Sequence, residues 1–166
     1  MATDAHARRE PLVYRHPGHI LVVEDDADDF ELLDRAFRKV ELAEAVVRAR
    51  DGEEAIQVLS EAVAPRPGER APPLPALLLL DVKLPCRSGL EVLRWIRGEA
   101  GLRRLPVVML SGSREPGDIA TAYELGANSY LVKPVGLGPL VDLVRAIRYY
   151  WLTLNERPDL RGDNPA

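Results

Sequence analysis

Leu77-Leu78-Leu79-Leu80-Asp81-Val82-Lys83-Leu84-Pro85 is the stretch on which the fold turns. Four leucines with no polar break predict a strand buried on both faces, and Pro75 and Pro85 fence the run to strand length. In an open parallel α/β sheet the carboxyl ends of the strands line the crevice where ligands bind. Asp81 therefore stands where an acid is presented to a small reactive partner.

Outward from this strand the pattern repeats. Ile20 to Val23 is a second apolar run, and it too ends in acids, Glu24-Asp25-Asp26. Phe30, Leu33, Phe37 and Val40 then recur at helical spacing, with Asp26, Asp28 and Asp29 in the first turn, where helix-start acids are favoured. Ala45 to Ala49 predicts a weaker strand, and Asp51 with Glu54 three residues on opens a helix with Ala55, Ile56, Leu59 and Val63 on its apolar face. Residues 64 to 75 carry five prolines and predict an extended surface loop.

Beyond Asp81, Ser88 and Glu91 form a capping box for a helix with Leu90, Leu93 and Ile96 facing inward. Val107 to Leu110 predicts a strand ending at Ser111-Gly112-Ser113. Pro116 opens a helix carrying Ile119, Ala122 and Tyr123 and stopped at Gly126; Ser129 to Val132 is a last strand, ending at Lys133-Pro134. A final helix is predicted over Leu137 to Leu154, with Leu140, Val144, Ile147, Trp151 and Leu154 along one face. Strand and helix alternate five times, which with right-handed crossovers predicts an α/β, doubly wound (βα)5 fold: a five-stranded parallel sheet flanked by five helices. Residues 1–17 read as a flexible arm, 18–154 as one domain and 155–166 as a tail.

Composition narrows the function classes. A net charge of -4 with interspersed signs offers no basic face for a nucleic acid. The single cysteine, Cys86, excludes an internal disulfide, and no apolar run approaches the roughly 20 residues of a membrane span. A cytoplasmic protein with no nucleic-acid or membrane partner is expected. His6, His16 and His19 all fall in or beside the arm, which disfavours a histidine-based catalytic centre.

The predicted topology brings Glu24, Asp25, Asp81, Ser111 and Lys133 to one edge of the sheet. Three carboxylates in one pocket repel each other, and a divalent cation with oxygen ligands relieves this, Mg²⁺ suiting a site with few protein ligands. The main-chain carbonyl of Lys83 can complete its shell. Asp81 could then attack phosphorus in line, with Ser111 donating to a phosphoryl oxygen and Lys133 offsetting charge. Lys133 is one of three lysines in a chain whose positive charge is otherwise arginine, and a compact ammonium is not replaced equally by a guanidinium. Taken singly, each residue has a plainer reading: Asp26, Asp28 and Asp29 as helix-start acids, Ser111 as a strand terminator, Lys133 as a solvated loop lysine.

Val23-Glu24-Asp25-Asp26, Leu80 to Pro85 with Gly89, Leu110-Ser111-Gly112, and Gly126 to Pro134 together resemble the receiver domain of two-component response regulators, a flavodoxin-like fold, over about residues 18 to 150. The resemblance implies that Asp81 accepts a phosphoryl group from a histidine kinase. It implies that Glu24 and Asp25 hold Mg²⁺, that Ser111 and Lys133 bind phosphoryl oxygens, and that Tyr130 is an aromatic switch. Such a protein is a phosphoacceptor that assists its own phosphorylation and dephosphorylation rather than an enzyme. Glu24 stands where the family more often has Asp, Ser111 where Thr is frequent, and Gly112 where Ala or another small residue is usual; the missing methyl leaves the phosphate approach open. Asn128-Ser129-Tyr130, Tyr150-Trp151-Leu152 and Asn155 to Pro158 are similar to the single-domain regulators that partner bacterial and cyanobacterial phytochromes, which implies a phytochrome-type kinase.

Two other classes are weighed. A haloacid dehalogenase-type aspartyl-phosphate hydrolase wants a second acid two residues after the nucleophile, and Lys83 stands there. A phosphorylation-independent scaffold with this fold is expected to lack one of Asp25, Asp81 and Lys133, and all are present. With no room after residue 158 for an output domain, the expected output is a protein contact or a further phosphotransfer. Leu143, Tyr149, Tyr150 and Leu152 leave the end of the final helix apolar on several faces. A symmetric homodimer through the last two helices and last strand is expected, with Trp151 and the tyrosines at its centre; burial beneath the N-terminal arm or the proline-rich loop is the alternative.

Overall fold

A computed structural model describes residues 18–42 and 45–160. Strands β1 (Ile20–Val23), β2 (Val46–Ala49), β3 (Leu77–Leu80), β4 (Val107–Ser111) and β5 (Ser129–Val132) alternate with helices α1 (Ala27–Lys39), α2 (Gly52–Val63), α3 (Gly89–Gly98), α4 (Pro116–Glu124) and α5 (Leu137–Ile147). All pairings are parallel, in the order β2-β1-β3-β4-β5, as the five strand–helix alternations predict. The arm expected over residues 1–17 and the end of the tail lie outside the described residues.

The four leucines of β3 are fully buried because strand side chains alternate between faces and both faces are covered. Leu77 and Leu79 join Leu33, Phe37, Leu140, Val144 and Ile147 under α1 and α5. Leu78 and Leu80 pack with Leu59, Leu93, Ile96 and Ala122 under α2, α3 and α4. Burying a leucine side chain stabilises by about 1.5–3 kcal/mol, so β3 anchors both layers. Helix starts follow their sequence signals. Asp26 caps α1 by accepting from the amides of Asp28 and Asp29, and Ser88 with Glu91 completes the box at α3. At α2, Asp51 accepts from Glu54 N–H, while the Glu54 carboxylate takes the Arg50 amide, one residue before the expected partner.

Three expectations are corrected. In α3, Val92 is fully buried and Leu90 only half-buried. Tyr123 of α4 is exposed, and Ala122 alone of that helix is buried. The largest change is at the C-terminus, where α5 ends at Ile147 and continues as a π-helical segment, Arg148–Leu154. The i→i+5 ladder widens each turn, so the next fully inward residue after Ile147 is Leu152, five on, instead of Trp151. Trp151 is half-buried and Leu154 exposed.

Candidate functional site

At the carboxyl end of β3, Asp81 is largely buried and held on both oxygens. Oδ1 accepts from Ser111 Oγ at 2.8 Å and from the Lys83 amide at 3.2 Å. Oδ2 accepts from Lys133 Nζ at 2.8 Å. Lys133, just past β5, also donates to Glu24 Oε2 and, at 3.1 Å, to Asp29 Oδ2. Sheet register makes this convergence: Asp81 N–H bonds Val23 O, Glu24 N–H bonds Ala49 O, and Lys133 N–H bonds Ser111 O, so the strand ends are level.

Gly89 sets how close α3 comes. Its amide donates to Val82 O at 2.9 Å, and a Cβ there would lie 1.8 Å from the Asp81 carbonyl oxygen. Gly112, by contrast, faces open space, with nothing within 4 Å of the place a methyl would take. It borders a cavity of about 140 Å³ between Asp29, Leu33, Lys133 and Leu140.

The structure thus brings together Glu24, Asp81, Ser111 and Lys133. Ser111 is the last residue of β4, not the first beyond it. Tyr130 is half-buried and donates to the Ser113 carbonyl at 3.1 Å. Asp25 is exposed, and its main-chain oxygen accepts from Arg48. Sequence reading missed three participants. Asp29, read as a helix-start acid, is a third carboxylate on Lys133; it lies in the first turn of α1, directly after the acids that end β1. Arg48 stacks on Phe30 at 4.6 Å and holds the carbonyls of Glu24 and Asp25, fixing the β1–α1 turn from an edge strand. Ser113 donates to Asp118 Oδ2 at 2.7 Å, a bond no spacing announces.

Burial by itself would lower the Lys133 pKa, but the hydrogen bonds to Asp81 and Glu24 outweigh it and raise it well above an ordinary lysine. Burial pushes the Glu24 carboxyl up, against the pull of the same ammonium. The raised lysine has a definite sign for stability. Its contribution is fully present below the unfolded value of 10.5 and is lost as pH rises beyond it, because the unfolded chain gives up the proton first. The urea stability gap between wild type and Lys133→Gln should therefore hold steady at neutral pH and shrink above pH 10.5. A gap that widens there would contradict the assigned pairing.

The donors suit a hard divalent cation. They are carboxylate oxygens of Glu24, Asp25 and Asp81 and the Lys83 carbonyl, which accepts no hydrogen bond from any described residue. Among the described residues no three acids already close on one point as a preformed metal site. The Lys133 ammonium instead bridges Glu24, Asp29 and Asp81.

The family model of the response regulator receiver domain matches residues 20–145, and the chain belongs to that family. It is a receiver domain of two-component signal transduction. Among its relatives, Rcp1 of Synechocystis is a response regulator 36% identical over 137 residues, 82% of this chain and 90% of Rcp1. The probable methanogenesis regulatory protein FilR2 of Methanothrix harundinacea is 37% identical over 142 residues, 86% of this chain and 88% of FilR2. The phosphorylated cyanobacterial phytochrome response regulator RcpA superposes with a TM-score of 0.75 at 35% identity, over 87% of this chain and all of RcpA. The Mn(2+)-bound form of Rcp1 superposes with a TM-score of 0.72 at 34% identity, over 86% of this chain and 99% of Rcp1. Among the described residues no helix is long and apolar enough to cross a membrane.

Proposed function

We propose that Asp81 is the phosphoacceptor and that a histidine kinase of the phytochrome type is the donor. The observation that carries this is the carboxylate at the end of β3, buried yet bonded on both oxygens by Ser111 and Lys133, the groups a phosphoryl adduct needs. The likeness to the phytochrome regulator RcpA supports the choice of kinase.

In the reaction an Asp81 oxygen attacks phosphorus, the phosphorus–nitrogen bond of the donor phosphohistidine breaks, and its electron pair leaves with the imidazole. Lys133 turns one of its three donors from Asp81 to a phosphoryl oxygen, and Ser111 Oγ turns to another. Glu24, Asp25, Asp81 and the Lys83 carbonyl would hold Mg²⁺, which would neutralise charge on the transferring group, and the Mn(2+)-bound form of Rcp1 supports divalent-cation binding in general. Tyr130 reads out the change. The chemistry occurs on the protein's own side chain, so the protein is a phosphoacceptor and not a turnover catalyst. Lys83 occupies the place where a haloacid dehalogenase-type hydrolase needs its acid, and its ammonium lies 3.9 Å from Glu115. The test is phosphotransfer from purified phytochrome-type kinases of the source organism. Label transferred within seconds by one of them, and only with Mg²⁺, is expected; label from none of them while other kinases transfer would reassign the partner.

The output surface we assign is a symmetric homodimer through α4, β5 and α5. β5 is an open sheet edge. Beside it lies a cleft of about 340 Å³ lined by Ser129, Leu131, Leu143, Tyr150 and Trp151. Tyr123, Tyr150 and Leu154 are exposed, and Tyr150 packs edge-on against Trp151 at 4.9 Å. Because Leu152 is core, a charge there would unfold the segment, and Tyr149 faces the end of α1 beside Lys39 and Glu41, so the variant to make is Tyr123→Asp with Tyr150→Asp. Sedimentation at micromolar concentration should give a dimer for wild type and a monomer for the variant, with labelling of Asp81 unchanged. A monomeric wild type, free or phosphorylated, ends the idea.

A further inference from the structure

Where β1 gives way to α1, the main chain is held by a side chain from the next strand. Glu24 N–H continues the ladder by donating to Ala49 O, but the Glu24 and Asp25 carbonyls lie between the end of β1 and the cap of α1 at Asp26, where the chain leaves the sheet. No main-chain N–H among the described residues reaches either oxygen. Arg48 does: its Nε donates to Glu24 O at 3.1 Å and its Nη2 to Asp25 O at 3.1 Å. Sheet register explains the reach, because Arg48 lies opposite Val22, two residues below Glu24. The face of the same guanidinium lies 4.6 Å from the centre of the Phe30 ring, at the start of α1. Edge and face are used at once, a geometry that a planar guanidinium provides and a compact ammonium does not.

We infer that Arg48 is a positioning residue for the divalent cation: it clamps the turn at Glu24 and Asp25 so that both carboxylates are aimed before the metal arrives. This rests on the reading of Glu24 and Asp25 as metal ligands. The Glu24 carboxylate is fixed by its own contacts, accepting from the Asp26 amide at 3.1 Å and from Lys133. Asp25 is exposed and its carboxylate accepts no hydrogen bond from any described residue, so the backbone alone aims it. Arg48 holds that backbone. Its effects on a cation oppose each other, since its charge repels Mg²⁺ while its bonds preorganise the ligands. At this half-buried position water and salt screen the repulsion, whereas a freed turn must be reordered each time the metal binds, so the clamp outweighs the charge.

The experiment is a Mg²⁺ titration followed by the backbone amide signals of residues 24–26, with acetyl phosphate labelling over a range of Mg²⁺, in wild type, Arg48→Met and Arg48→Lys. Methionine keeps an unbranched stem against Phe30 and loses the charge and both donors. Arg48→Met should raise the Kd for Mg²⁺ about fivefold or more, the equivalent of one typical hydrogen bond. Its labelling at saturating Mg²⁺ should stay within about twofold of wild type, placing the defect in the metal requirement and not in the transfer. Arg48→Lys keeps the charge without the fork and should bind Mg²⁺ at least about twofold more weakly, which carries the test if the methionine variant does not fold. Tighter Mg²⁺ binding by Arg48→Met would mean that repulsion is what Arg48 contributes, and a Kd unchanged in both variants while the urea midpoint falls would make the clamp an ordinary structural contact; either result overturns the inference. A wild type that binds no Mg²⁺ would instead overturn the assignment of Glu24 and Asp25 as ligands, and this inference with it.

Discussion

Asp81→Asn should reduce labelling by acetyl phosphate and Mg²⁺ to background while the protein stays folded. The amide keeps the volume of the carboxylate at a buried position, and its oxygen can still accept from Ser111 Oγ and the Lys83 amide, as Oδ1 does now. What changes is the other side. An NH2 group would face the Lys133 ammonium that now donates to Oδ2 at 2.8 Å, donor against donor. Lys133 keeps Glu24 and Asp29, so the loss is one charge-assisted bond, about 1.5–3 kcal/mol. Against a typical domain stability of about 5–15 kcal/mol the fold survives, whereas the chemistry does not, because an amide oxygen is not a competent nucleophile toward phosphorus. Hydroxylamine-sensitive label at the wild-type rate in the variant would remove Asp81 from the role and turn attention to Glu24. The same pair of proteins separates acceptor from scaffold: a wild type that takes no label from any phosphodonor would favour a phosphorylation-independent module.

The site was legible wherever a strand end fixed a side chain, and obscure wherever a loop or a helix turn did. Glu24, Asp81, Ser111 and Lys133 each follow an apolar run of strand length, so counting runs and applying the handedness of the crossovers was enough to put them at one edge. Asp29 and Ser113 sit in segments whose local signals are already explained by something else, a helix start and a turn, and only the folded geometry turns those residues toward Lys133 and Asp118. Arg48 was hidden for another reason. On an edge strand an outward arginine reads as solvated surface, and nothing in its own neighbourhood shows that the β1–α1 turn will come back across it.

The C-terminal helix shows the limit of periodicity more sharply. Leu140, Val144 and Ile147 obey the 3.6-residue repeat and are buried, and extending that repeat selects Trp151 and Leu154. The π-helical widening after Ile147 moves the inward position to Leu152 and turns Tyr149 and Tyr150 to solvent. An insertion of this kind changes hydrogen-bond spacing without any proline or glycine to announce it. Arg148, within the widened segment, donates to Val40 O at the end of α1, so the wider turn is tied to the neighbouring helix.

Gly89→Ala should be the most damaging glycine-to-alanine change among the described residues and should cost roughly 4 kcal/mol or more. The added carbon would sit 1.8 Å from the Asp81 carbonyl oxygen, 2.8 Å from its carbon and 3.1 Å from Val82 Cα, all main-chain atoms with no rotamer to yield. Neither side can step back cheaply. Asp81 N–H is bonded to Val23 O at the end of the neighbouring strand, and α3 is held at its start by the Ser88–Glu91 box. Relief requires moving the first turn of α3 or the end of β3, and the second course would displace Asp81 itself. The urea midpoint should therefore fall steeply, and the folded fraction that remains should label more slowly than wild type. Gly112→Ala is the matched control: it adds the same methyl one strand away, where nothing lies within 4 Å, and should shift stability by no more than about 0.5 kcal/mol. A Gly89→Ala midpoint within about 1 kcal/mol of wild type would mean that α3 does not approach Asp81 this closely, and the geometry drawn for the acceptor would have to be rebuilt from that point.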